Sequence, residues 1–246
     1  MRLFFQIFLS PLTLLRFVLM FVVSLIVLII LFAEDLLTRG KGRFKFFTSR
    51  LWGRIILFIL GVRVEKNTVP KIDRFLMMPN HRSYIDIFIM AAYVPATFVA
   101  KAELRRWPIF GQAMKVFRVI TVKRNDLRSM IGTMNKLKQR IDDGIPVTVF
   151  PEGTTFEGPG TKNFKKGTFK IAAEIGVPVV PCAISYSDTR IAWVGSDLFI
   201  WHFFRQFWKP FTKVTVRFGE PIIDDDYKVL NEKTYKAING MLEEIE

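Results

Sequence analysis

From Phe17 to Ala33 the chain reads FVLMFVVSLIVLIILFA, seventeen residues with Ser24 as the one polar member, and the apolar character runs back to Leu3 with Arg16 as the interruption. Such a run must be buried in a core or given to lipid, and here it is read as a membrane segment. A cleavable secretory leader is shorter and ends in a small-x-small site, which Phe32-Ala33-Glu34 lacks. Seventeen helical residues reach about 25 Å, short of a hydrocarbon core of about 30 Å, and lengthening the run backward draws in Arg16. An arginine at mid-bilayer costs about 2.5–3.5 kcal/mol on insertion scales, whereas near the head groups it snorkels. Shallow burial, with the chain held to one face of the membrane, is therefore expected.

A second segment, Phe44 to Val62, mixes Lys45, Arg50 and Arg54 with Phe, Trp and Leu. It reads as a basic amphipathic helix on a membrane surface that does not cross, with a core helix as the alternative. Residues 1–66 hold ten basic and three acidic side chains, a surplus of seven in a chain whose net charge is +14. The front quarter is thus a distinct unit, and the expected division is a two-helix membrane-anchoring motif over 1–62 and one further domain over 63–246. Arg39, Lys41, Arg43, Lys45 and Arg50 would face anionic lipid on the cytoplasmic side.

Net positive charge draws nucleic acid, anionic lipid or a phosphorylated substrate, and a hydrophobic content of 50% turns that choice toward lipid and away from disorder. The one cysteine, Cys182, allows no intrachain disulfide, and two histidines, His81 and His202, are too few for a His-rich metal site. No phosphate-binding glycine loop, dinucleotide fingerprint or H-E-x-x-H pair occurs.

After Val62 short apolar runs alternate with helical stretches, the texture of an α/β domain. Strands are expected at Arg74–Met78, Thr97–Ala100, Val119–Val122, Val147–Phe150, Val177–Ile184 and Val214–Phe218. Helices are expected at Tyr84–Tyr93, Ile109–Val116, Asp126–Asp142, Lys166–Ile175 and Asp226–Glu244.

Three groups of residues could carry chemistry. In Asn80-His81-Arg82-Ser83-Tyr84-Ile85-Asp86, Asp86 is five positions beyond His81, about 500° of α-helix, so both cannot point one way from a regular helix. With Ser83 as N-cap, His81 lies in the entering loop and Asp86 in the first turn, where its carboxylate can curl back to the imidazole as orienter of a general base. The same spacing fits a capping box in which Asp86 only satisfies backbone N–H groups. The second group, Phe150-Pro151-Glu152-Gly153-Thr154-Thr155, follows a strand; it is turn chemistry alone, or an anion or oxyanion cradle. The third is Lys101, Pro108, Gly111 and Arg124, then Lys165, Lys166 and Gly167, charges that are ordinarily solvated and gain weight only together.

In order and spacing, Asn-His-x4-Asp, then Lys101 with Pro-x-x-Gly at 108–111 and Arg124, then Phe-Pro-Glu-Gly-Thr, then Val177-Pro178-Val179-Val180-Pro181 resemble the glycerolipid acyltransferases, in the lysophosphatidic acid acyltransferase branch. The resemblance spans about residues 63–222. It implies a mixed sheet flanked by helices, His81 as general base with Asp86 as its orienter, and an acceptor site drawing on Lys101, Arg124, Glu152, Gly153 and Thr154. Many members carry Arg after Phe-Pro-Glu-Gly-Thr; here Thr155 stands, so a phosphate contact must come from elsewhere or be absent, and Lys165 or Lys166 could substitute.

The reaction so implied moves a fatty acyl group from acyl carrier protein or coenzyme A to the free hydroxyl of 1-acyl-glycerol-3-phosphate (lysophosphatidic acid), giving phosphatidic acid with no metal or prosthetic group. The partners are then membrane lipid, lysophosphatidic acid and the thioester carrier, with no nucleic acid. Glycerol-3-phosphate or another lysophospholipid could be the acceptor instead, and a non-enzymatic basic membrane lipid-binding protein is the rival outside the enzyme class. The aromatic stretch FIWHFFRQFWKPF at 199–211 is read as a membrane or acyl-chain surface or as core, with His202 packed rather than catalytic.

Overall fold

The structure, a computed structural model, describes residues 10–38, 44–106, 108–122, 127–195 and 197–246. Seven strands form one sheet in the order β1-β7-β6-β2-β5-β3-β4. They are β1 (Val62–Lys66), β2 (Leu76–Pro79), β3 (Thr97–Lys101), β4 (Ile120–Val122), β5 (Val147–Thr148), β6 (Val179–Tyr186) and β7 (Thr212–Phe218). Neighbours run parallel except β6 with β7, so the sheet is mixed. Helices α1 (Ser10–Leu37), α2 (Phe44–Ile59), α3 (Ile85–Tyr93), α4 (Pro108–Val116), α5 (Leu127–Asp142), α6 (Lys166–Ile175), α7 (Phe199–Gln206) and α8 (Tyr227–Ile245) flank it.

Strand side chains alternate faces, and both faces are buried. Phe75 and Met77 of the β2 region join Val180, Cys182, Ile184, Val214, Val216 and Phe218 in one core. Residues of α1, α2, α3 and α7 complete that core. Leu76 and Met78 enter a second core with Val179 and Ala183, covered by Leu137 of α5, Phe169 of α6 and Leu230, Ile238 and Leu242 of α8. Strands buried on both faces read as continuous apolar runs, which is why β2 and β6 stand out in the sequence.

Two elements differ from expectation. The edge strand β1 is a short Val/charged alternation, VRVEK, that the sequence reading absorbs into the preceding helix and the domain boundary. The helix ends because Gly61, at φ +70°, takes the left-handed conformation and turns the chain into β1. The stretch 199–211 begins as α7, with one side in the core and the other exposed, so core and surface are both true of it.

α1 is 28 residues long, and residues 11–37 are long and apolar enough to cross a membrane. At 1.5 Å per residue it reaches about 42 Å, well past the seventeen-residue run. Arg16 does not interrupt it, because its guanidinium leaves the apolar environment for backbone carbonyls of the domain. Nη1 donates to Phe207 O at 2.9 Å and to Lys209 O, and Nη2 donates to Pro210 O at 2.6 Å. A buried guanidinium without such partners would cost several kcal/mol. Thr13, Arg16, Met20, Val27 and Leu31 form the buried stripe of α1, while Leu15, Val22, Ile26, Ile29 and Ile30 are among its exposed apolar residues.

α2 lies on α3 at backbone contact. A Cβ on Gly53 would stand 2.6 Å from Ala92 N and 2.8 Å from Phe88 O, so any side chain there forces the helices apart. Arg39, Lys41 and Arg43 lie outside the described residues.

Candidate active site

Parallel strands deliver their following loops to one edge of a sheet, at the C-terminal ends. Met77, Thr148 and Phe98 share one row across β2, β5 and β3. His81, four residues past that row, and Lys101, three past, therefore emerge at the same edge. One strand, β5, lies between them, so they stand two strand spacings apart, about 10 Å.

Asn80 fixes where the loop leaves β2. It is fully buried, its Oδ1 accepts from Ile184 N at 2.7 Å and its Nδ2 donates to Ile184 O at 3.0 Å, continuing the β2–β6 ladder with a side chain. His81 follows, held by its backbone on both sides: its N–H donates to Glu152 Oε1 at 2.9 Å, and its C=O accepts from Phe156 N at 2.9 Å. Its ring stacks on Phe150 with centroids 4.0 Å apart.

Nδ1 of His81 lies 2.8 Å from Asp86 Oδ2, and the Asp86 carboxylate is fully buried while the His81 side chain keeps 17% exposure. Oδ2 also accepts from Arg82 N at 2.7 Å and Ser83 N at 2.8 Å, and Oδ1 accepts from the Tyr186 hydroxyl. The two readings of this spacing are thus both physical: Asp86 takes the loop's N–H groups as a cap would, and the same oxygen orients the imidazole. Ser83 is not the cap expected of it. Tyr84 occupies the N-cap of α3, and Ser83 Oγ is buried with no hydrogen-bond partner. With Nδ1–H directed at a carboxylate, Nε2 is the nitrogen left to accept a proton.

Tyr186 is a site residue that sequence patterning misses, because the apolar run of β6 ends for the eye at Ile184. Burial, reinforced by the adjacent Asp86 charge, holds its phenol well above the ordinary tyrosine range, so it stays a donor. Tyr186→Phe is expected to lower turnover by roughly tenfold, one buried charge-assisted hydrogen bond, with little change in acceptor KM. Steady-state kinetics on the purified enzyme checks it.

Glu152 is buried and bridges two loops, accepting from His81 N through Oε1 and from Lys162 N through Oε2 at 3.2 Å. Desolvation raises its pKa against the lowering effect of those two N–H groups. Gly153, at φ +72°, closes the turn by donating its N–H to Phe150 O. Thr154 is exposed at the turn's surface. Thr155 Oγ1 donates to Trp193 O, which ties the turn to the segment before α7. Lys166 begins α6 exposed, beside an equally exposed Lys165 whose N–H donates to Pro151 O at 2.8 Å. Arg124 lies outside the described residues. Lys101 is exposed at the end of β3. The structure therefore brings His81, Asp86 and Glu152 into direct contact and sets Lys101 on the same edge.

Cys182 is fully buried in β6, its thiol pKa raised by desolvation, as befits a packing residue. His202 is likewise inside, 3.2 Å from the Tyr84 hydroxyl through Nδ1 and 3.2 Å from Ala192 O through Nε2. Among the described residues no cluster of three or more His, Cys, Asp or Glu could hold a metal ion.

A buried carboxylate, an oriented imidazole with one nitrogen open, and a glycine turn meet at the sheet edge, an arrangement chemically able to take a proton from a hydroxyl. The family profile described as Acyltransferase matches residues 61–185, from β1 through nearly all of β6 and across both site loops. The chain belongs to the acyltransferase family. The lyso-ornithine lipid O-acyltransferase of Rhizobium meliloti (strain 1021) is 30% identical to this acyltransferase over 213 residues, 78% of this chain and 71% of that one. The chloroplastic 1-acyl-sn-glycerol-3-phosphate acyltransferase BAT2 of Brassica napus is 31% identical over 171 residues, covering 66% of this chain and only 50% of the relative. The crystal structure of the 1-acyl-sn-glycerophosphate acyltransferase PlsC from Thermotoga maritima superposes with a TM-score of 0.72 at 22% identity, over 100% of this chain and 98% of that one. That likeness places the acyltransferase's mixed sheet, flanking helices and long apolar N-terminal helix in a known fold.

Proposed function

We propose that this acyltransferase esterifies the free sn-2 hydroxyl of 1-acyl-glycerol-3-phosphate with a fatty acyl group from a thioester of acyl carrier protein or coenzyme A, producing phosphatidic acid for phospholipid synthesis. The observation that carries the reading is the His81–Asp86 pair, with Nδ1 committed to a buried carboxylate and Nε2 without a protein partner among the described residues. Nε2 takes the hydroxyl proton as the oxygen attacks the thioester carbonyl. The C–S bond then breaks, and the imidazolium returns the proton to the departing thiolate. Backbone N–H groups of the turn after Phe150 would meet the oxyanion; that of Gly153 is already given to Phe150 O. Lys101, Lys166 and Arg124 would supply charge for the acceptor phosphate.

A small apolar cleft lined by Met20, Val27, Trp52, Phe88 and Phe117 among others lies between α1, α2, α3 and α4. Phe88 belongs to α3, the helix that carries Asp86 in its first turn, and this cleft would take part of an acyl chain. α1 would hold the enzyme to the membrane with its catalytic domain on the cytoplasmic face.

A second acceptor class is favoured by one observation. Thr155 stands where many family members have arginine, and its hydroxyl proton is committed to Trp193 O. A lysolipid with no phosphate monoester, of the kind named for the Rhizobium meliloti relative, would not need that contact. Purified enzyme assayed with lysophosphatidate and with lyso-ornithine lipid separates the two. The lysophosphatidate reading predicts that Lys101→Ala raises acceptor KM by about tenfold or more, one charge-assisted contact, without a matching change in thioester KM. Faster transfer to lyso-ornithine lipid, with lysophosphatidate KM untouched by Lys101→Ala, would replace it.

A further inference from the structure

α7 divides its residues sharply. His202, Phe203 and Gln206 are buried, and Phe207 just beyond is too, whereas Ile200 and Trp201 are exposed, with Leu198 before the helix and Phe211 after it also open. Trp201 keeps 65% of its surface exposed, an unusual position for a large aromatic side chain. The patch is not an isolated surface. Phe17 of α1 packs on Phe203 and Phe204 at centroid distances of 5.2 and 5.6 Å, so the outer side of α7 continues the exposed apolar surface of α1 around Leu14, Leu15 and Val18.

Charge around the patch is graded. Arg205 is paired with Asp197, and Lys209 and Arg190 share Asp188, so the cations beside the middle of the patch are tied to carboxylates. At the rim Arg63 and Lys213 face each other across β1 and β7, with no ion-pair partner among the described residues, and the Arg63 guanidinium lies 4.2 Å from the centroid of the exposed Phe211 ring. An apolar middle whose neighbouring cations are ion-paired, with free cations at its edge, suits a leaflet whose acyl region is bordered by phosphates. An acidic protein partner would be met by free cations in the middle.

We propose that Leu198, Ile200, Trp201 and Phe211 enter the head-group boundary of an anionic phospholipid leaflet, with Arg63 and Lys213 at its phosphates, as a second membrane contact that extends the surface of α1 away from its axis. The inference rests on membrane association through α1. A single helix leaves the domain free to swivel about the helix axis, and an off-axis contact removes that freedom. The contact also reaches the site: Tyr84, inside the His81–Asp86 loop, packs on Phe199, His202 and Phe207, and Thr155 is bonded to Trp193. Seating α7 on lipid would therefore set the attitude of the His81 loop toward the leaflet.

The test labels full-length protein with an environment-sensitive fluorophore through Trp201→Cys, the native Cys182 being fully buried. The same label is placed through Lys236→Cys on the exposed side of α8. In vesicles of phosphatidylcholine with phosphatidylglycerol as the minor lipid, the label at 201 is expected to shift to the blue and be quenched by head-group-proximal spin-labelled lipid, while that at 236 stays water-like. Replacing Leu198, Ile200 and Trp201 together by serine is expected to slow transfer to vesicle-embedded acceptor by roughly tenfold and leave transfer to the same acceptor in detergent micelles unchanged. Protein that sediments with vesicles yet stays water-like at position 201 would overturn the proposal alone. A shift at 201 caused by acidic acyl carrier protein or by self-association, and not by lipid, would overturn it too. Failure to sediment would remove the α1 reading beneath it.

Discussion

His81→Ala is expected to lower turnover by about 10²–10⁴-fold, the range for loss of a general base, while thermal unfolding stays close to that of the parent. The fold tolerates the change because the ring is at the sheet edge, partly open and stacked on Phe150. The loop itself is held through the backbone of residue 81, which alanine keeps. Asp86→Asn should reduce turnover somewhat less than His81→Ala. Its effect reaches the fold as well, since Asp86 accepts from Nδ1 of His81, two backbone N–H groups and a buried tyrosine. An amide nitrogen cannot replace both oxygens as acceptors. Normal acyl transfer by purified His81→Ala protein, with thioester and acceptor both saturating, would exclude the general-base role.

The second large effect is expected from Glu152→Gln. Both carboxylate oxygens of Glu152 accept from backbone N–H groups, one on each of the two loops that meet at the site. Glutamine keeps one acceptor and sets an NH2 against the other N–H, so one loop must move. A displacement of about 1 Å at the base costs on the order of 10² in rate, and that loss should appear in kcat with thioester KM nearly unchanged. Loss confined to acceptor KM would instead make Glu152 a substrate ligand. Burial raises the Glu152 pKa, so on acidification it takes a proton above the ordinary carboxylate range. The sign follows. Between the unfolded and raised folded values the folded chain holds the extra proton, so this group's contribution to stability falls as pH rises through the folded pKa. Activity should run the other way: turnover of the parent declines toward acid in that window, because a protonated oxygen no longer accepts, and Glu152→Gln should lose that limb. A pH–rate profile beside pH-dependent unfolding checks both signs.

The sequence announces some of this site and conceals the rest for identifiable reasons. Strands buried on both faces are legible as apolar runs, and α6 is expected and found at Lys166–Ile175. The His81–Asp86 contact is readable because it is local, five residues apart. Tyr186, which completes Asp86, is 100 residues away, and nothing in a β-strand tyrosine signals which carboxylate it will meet. Asn80 belongs to the same class, since its pairing with Ile184 exists only once β2 and β6 are neighbours. Arg16 misleads for a third reason. Read alone, it is a charge that interrupts an apolar segment and argues for a short helix, whereas its carbonyl partners lie more than 190 residues further along the chain and the helix runs through it.

That distance bears on how the molecule is made. The carbonyls of Phe207, Lys209 and Pro210 are synthesised long after Arg16, an interval of about 10–40 s at ordinary translation rates. Throughout it α1 must coexist with an arginine that has no protein acceptor, and its one low-cost resting place is the phosphate layer at the edge of the bilayer. On the membrane reading of α1, the emerging chain would park its first helix by that residue, and closure of the sheet would later lift the guanidinium from lipid phosphate to backbone carbonyl. Membrane insertion and completion of the domain would then be successive uses of one side chain, with the second sealing the position chosen by the first.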